Sequence, residues 1–93
     1  MKKEQAIDIL ENKLIEFRKL TYSELIERIG KQETFEGETQ TGEPYQIEVD
    51  FFFDDEKEKT LRVTGMISYS FITNFSPVTS DFIIAPNGKF IGE

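Results

Sequence analysis

The stretch PYQIEVDFFFDDEKEKTLRV, residues 44–63, decides the architecture of this chain. Tyr45, Ile47, Val49, Phe51 and Phe53 alternate with Gln46, Glu48, Asp50, Phe52 and Asp54. Successive side chains of a strand point to opposite faces, so this period of two predicts a half-buried antiparallel strand, apolar inside and polar outside. Phe52 alone breaks the alternation. DDEKEK, residues 54–59, reads as a polar loop. Beyond it Leu61, Val63, Ile67, Tyr69 and Phe71 share one face, and Arg62, Thr64, Met66, Ser68 and Ser70 the other. Two such runs form a hairpin. Keeping both apolar faces together requires odd residues opposite odd residues. Phe53 opposite Leu61 meets that condition, and so does a two-residue shift, so the pattern leaves both registers open.

Working outward, QTGEP at 40–44 carries turn chemistry, and ETFEGET at 33–39 is a weaker strand with Gly37 as a bulge candidate. Downstream, Asn74, Ser76 and Pro77 mark a turn. DFIIA at 81–85 reads as a short apolar strand, PNG at 86–88 as a tight turn, and KFI as a last short strand or extended tail. Upstream the period changes. Ile7, Leu10, Leu14 and Phe17 follow the i, i+3, i+7 spacing of an amphipathic helix. In TYSELIERIG, Thr21 and Glu24 fit a capping box, Leu25, Ile26 and Ile29 supply an apolar side, and Gly30 stands where a glycine ends a helix. A break near Leu20 and Thr21 separates a long helix from a short one. Helices followed by strands indicate an α+β fold. The expectation is one domain over 1–93: a helix or helix pair (1–30) packed on the odd-numbered face of a four- to five-stranded antiparallel meander (33–92).

The 93 residues suffice for one modest core. No apolar run approaches the roughly 18 residues of a membrane span. Acids interrupt the beginning of the chain at Glu4, Asp8 and Glu11, which argues against a secretory signal. With no cysteine, no part of the fold depends on an oxidising compartment, and a cytoplasmic setting is the simplest expectation. The net charge of −7 is unevenly placed. Residues 1–32 hold seven basic and six acidic side chains, whereas residues 33–58 hold ten acids against Lys57 alone. Such a field disfavours nucleic acid and anionic membranes and attracts cationic partners.

Several functional classes find little footing. The acids Asp54, Asp55, Glu56 and Glu58 lack EF-hand spacing and enclose Lys57, so they read as a solvated hairpin tip and no metal or cofactor is expected. Asp50, Asp54, Asp81 and Glu93 are conceivable acid–base partners, but a single helical layer on one sheet leaves little room for a deep cleft. The chain has no histidine, cysteine, glycine-rich phosphate loop or nucleophile elbow, so an enzyme is not expected. Phe52 is more informative. It lies outward among Asp50 and Asp54, with Arg62 expected across the hairpin. It either stacks on that guanidinium or anchors a partner protein. Met66, Tyr45 or Tyr69, and Phe75 are candidates to extend the patch.

The succession YQIEV, FFFDD, LRVTG and DFIIAPNGKFIGE resembles a family of small, uncharacterised bacterial proteins. Its members carry an aromatic followed by Asp-Asp, a V-x-G strand and a closing F-I-x-x-P-[DN]-G-x-F-x-G-E. The likeness covers Tyr45 to Glu93; Phe53 stands where the family usually has Trp. By analogy with the acidic immunity proteins of bacterial toxin systems, the resemblance implies a non-catalytic binding role. The expected contact surface comprises Glu48, Asp50, Phe52, Asp54, Asp55, Arg62 and Met66. It faces a basic protein, such as a toxin or nuclease domain. The alternatives are a self-associating module that forms a homodimer through an open face or edge, and, as a minor one, a small metal- or ligand-binding enzyme.

Overall fold

The structure, a computed structural model, describes residues 1–69 and 77–93. Helix α1 (Lys3–Arg18) is followed by a short helix α2 (Tyr22–Ile26) and by strands β1 (Gln32–Glu38), β2 (Pro44–Asp55), β3 (Thr60–Ser68) and β4 (Val78–Ile84). The strands form one antiparallel sheet in the order β1-β2-β3-β4. This is the expected α+β meander, with four strands. Phe71, Phe75, Ser70 and the turn at Asn74 and Ser76 lie outside the described residues.

The register follows the first of the two alternatives. Phe53 pairs with Leu61, Phe51 with Val63 and Ile47 with Ile67. An irregularity between Phe53 and Asp55 admits one extra residue before the loop, where Lys59 takes φ +60. Odd-numbered side chains of β2 and β3 turn inward with Val78, Phe82 and Ile84 of β4, and the helices cover that face. No helix is long and apolar enough to cross a membrane among the described residues.

The buried stripe of α1 is Ala6, Leu10, Leu14 and Phe17. Ile7, expected in that stripe, is instead 39% exposed. Two contacts set the rotation of the helix. Phe17 meets Phe35 of β1 and Phe51 of β2 edge-on, at centroid distances of 6.0 and 5.6 Å. Leu10 and Leu14 press on the bare backbone of Gly65, where a Cβ would come within 2.8 Å of Leu10 Cδ1. At about 100° per residue Ala6 lies about 20° around the helix from Phe17 and Ile7 about 80°, so seating Phe17 on the sheet brings Ala6 in and leaves Ile7 on the flank.

Five residues are too few for α2 to persist alone. The expected capping box is present: Thr21 Oγ1 accepts from the Glu24 amide at 3.1 Å, and Glu24 accepts from the Thr21 amide at 2.9 Å. Leu25 alone is fully buried; Ile26 and Ile29 are half-buried. Tyr22 Oη donates to the Lys59 carbonyl at 2.6 Å, which ties α2 to the hairpin tip. The helix stops at Ile26, earlier than Gly30 suggested, and tight i→i−3 turns follow through Lys31. Gly30 serves as the entry to the sheet: at φ +82 its amide donates to the Phe51 carbonyl.

Gly37 is not a bulge, because β1 pairs regularly from Gln32 opposite Asp50 to Glu38 opposite Pro44. The glycine makes room for Tyr45, whose ring occupies the space a Cβ at Gly37 would need. At the other end of the chain the 86–88 turn reverses direction, Phe90 bridges Ile84, and the Ile91 amide donates to Ile83. Residues 89–91 thus add one bridge rather than a fifth strand.

Candidate functional site

The two helices lie on the face that buries the odd-numbered residues of β2 and β3, so the even-numbered residues of β1, β2 and β3 and the odd-numbered residues of β4 form the outer face. Pairing aligns them in rows across the strands. Phe52, Arg62 and Ile83 make one row; Gln32, Asp50, Thr64 and Asp81 the next; Thr34, Glu48, Met66 and Thr79 a third; and Glu36, Gln46 and Ser68 a fourth. Glu48, Asp50, Phe52, Asp54, Arg62 and Met66 therefore share this face. Phe52 is 44% exposed, whereas Met66 and Ile83 are half-buried.

Arg62 does not stack on Phe52. Its Nε and Nη2 both donate to Asp54 Oδ1, at 2.9 and 2.6 Å, and its Nη1 donates to Asp81. Donating to Asp54, and then to Asp81, raises the already high pKa of this guanidinium. The extra residue between Phe53 and Asp55 lets Asp54 reach the guanidinium from above the row. Asp55 plays another part: its Oδ1 accepts from the Lys57 and Glu58 amides, at 2.9 and 3.2 Å, and shapes the loop. It belongs to the turn, as Asp commonly does.

The aromatic patch is smaller than expected. Tyr45 and Tyr69 pack against the core on the opposite face, and Phe75 lies outside the described residues. Three outer-face acids were missed: Asp81, Glu36 and Glu38. Phe82, Ile83 and Ile84 are three consecutive apolar residues, so β4 shows no alternation from which to place Asp81. For β1 the parity follows from the turn at 39–43, where the Thr39 amide donates to the Glu43 carbonyl.

Among the described residues the face thus presents Glu36, Glu38, Glu48, Asp50, Asp54 and Asp81 against one cation, Arg62. Among the described residues, no lysine or arginine pairs with Glu36, Glu38, Glu48 or Asp50; Asp50 accepts from Gln32 Nε2 at 3.1 Å. The conceivable acid–base carboxylates do not face one another across a cleft. Asp54 and Asp81 share Arg62, and Glu93 lies on the helical side. There Arg18 binds Glu93 at 2.6 Å and depresses its pKa. Among the described residues no three carboxylates converge as a cation site requires. Among the described residues, surface hollows of about 470 Å³ beside Arg28 and Glu33 and about 370 Å³ beside Arg18 and Phe90 flank the helices.

Compared with known protein families, with curated proteins and with solved structures, the chain matches none.

Proposed function

We propose that this chain is a non-catalytic protein-binding module that acts in the cytoplasm and docks a basic partner on the outer face of its sheet. The observation that carries the reading is the composition of that face. Six acids stand against Arg62 on the side the helices leave free, with Phe52 protruding among them. Unpaired carboxylates raise the rate of encounter with a cationic surface, and a protruding aromatic supplies area to bury once contact is made. The same charge opposes face-to-face pairing of two copies. A basic toxin or nuclease domain, the partner class implied by the family resemblance, has the required chemistry.

The test begins with a purified basic partner captured from the native host at low ionic strength. Phe52→Ala, and separately Glu48→Gln combined with Asp50→Asn, should each weaken a 1:1 complex by about tenfold or more while the melting temperature holds. The second variant targets Glu48 and Asp50 because Asp54 is committed to Arg62 and Asp55 to its turn. Unchanged affinity in both variants rejects the proposal.

A further inference from the structure

We infer that the partner docks by adding an extended, lysine- or arginine-bearing segment to the open edge of β1. This rests on the reading of a basic partner and specifies how it binds.

The two edges of the sheet are treated differently. The β4 edge is engaged at its end by the returning chain, through Phe90 opposite Ile84 and the Ile91 amide on the Ile83 carbonyl. Among the described residues, nothing pairs with the outer edge of β1. That strand has seven residues, regular pairing, no proline and no bulge. It lacks most devices by which edge strands avoid pairing; what it has is charge of one sign. Its free charge is that of Glu36 and Glu38, since Glu33, on the helical side, pairs with Arg28. A second copy brings the same two free glutamates, so the edge rejects itself and accepts a cation.

The direction of the free backbone groups follows from the ladder. The Thr39 amide donates to the Glu43 carbonyl at 2.9 Å, which makes this a hydrogen-bonded pair. Antiparallel pairs alternate, so odd residues of β1 bond to β2. Gln32, Thr34, Glu36 and Glu38 then direct their amides and carbonyls outward. These same residues carry their side chains on the acidic outer face. A strand laid along this edge would place alternate residues beside Glu36 and Glu38, where basic side chains fit. The intervening residues would lie beside Phe35, where apolar ones fit. Main-chain bonds would supply affinity and the alternation specificity, as in other strand additions.

The probe is a blocked seven-residue peptide alternating lysine and valine. Its control is the same peptide N-methylated on alternate amides, with charge kept and strand pairing blocked. Binding is followed by amide NMR and hydrogen exchange at low ionic strength. The unmodified peptide should slow exchange at Thr34, Glu36 and Glu38 by about tenfold or more, and the methylated one should not. Thr34→Pro removes one outward amide and no ladder bond, so it should fold normally and lose about tenfold in affinity. Glu36→Lys with Glu38→Lys should lose at least as much without touching the backbone. Equal binding of both peptides, with shifts confined to Glu48, Asp50 and Phe52, overturns the edge proposal and leaves the acidic-face reading standing. Shifts at neither place overturn both.

Discussion

Replacing Leu10 by alanine tests whether α1 sits on the sheet in the observed rotation. Leu10 is fully buried, and its Cδ1 lies 2.8 Å from where a Cβ on Gly65 would stand. A buried leucine truncated to alanine loses about 3 kcal/mol, within a range of roughly 2–5. A domain of 93 residues has about 5–14 kcal/mol to lose. Its unfolding entropy is about 0.2 kcal/mol per kelvin, so the melting temperature should fall by about 15 °C. Ile7→Ala, at a site 39% exposed, should cost less than about 1 kcal/mol. The contact with Gly65 provides an internal check. Gly65→Ala alone overpacks the junction and should cost about 1–2 kcal/mol, after the backbone-entropy gain of replacing glycine. In the Leu10→Ala background the added methyl enters the vacated space, and that cost should vanish. Urea and thermal unfolding by circular dichroism give all four corners of the cycle. Strict additivity, or an Ile7→Ala variant as damaging as Leu10→Ala, would refute the observed helix rotation.

Arg62→Gln should release Asp54 and Asp81, lower stability by about 0.5–1.5 kcal/mol, and steepen the salt dependence of basic-partner binding; a flatter dependence would count against the acidic face. Thr21→Ala removes the cap of α2 and should cost about 1 kcal/mol, or about 5 °C in melting temperature by calorimetry. The Glu24 carboxyl, hydrogen-bonded by the Thr21 amide, and the Glu93 carboxyl, hydrogen-bonded by Arg18, both titrate below the usual glutamate range. A lowered folded-state pKa contributes stability that is present above the unfolded value and lost as pH falls through the folded one. Stability should therefore decline with acid below about pH 5, and Glu93→Gln should flatten that decline in urea titrations at stepped pH.

Much of this fold was legible in the chain because its signals are local. Alternation in residues 45–53 placed β2 and its faces, since a strand's side chains switch sides at every step whatever else the chain does. The Thr21–Glu24 capping box marked the start of α2, because its two hydrogen bonds lie within one turn. Strong alternation also exposed Phe52 as an outward aromatic. Other features depended on what packs against what. Ile7 and Ala6 are equally compatible with a helical stripe, and the contacts of Phe17 with Phe35 and Phe51 chose between them. Gly37 looks like a bulge until Tyr45 is seen to fill its space. Arg62 had an aromatic and two acids within reach, and two carboxylates outcompeted the ring once β4 brought Asp81 alongside. By itself, then, the sequence determined the element types, the inward and outward sides of the hairpin, and the negative field. The tertiary structure alone decided the hairpin register, the helix rotation, the company Arg62 keeps and the place of β1 at the edge of the sheet. Those choices turn on residues far apart in the chain, and no local periodicity encodes them.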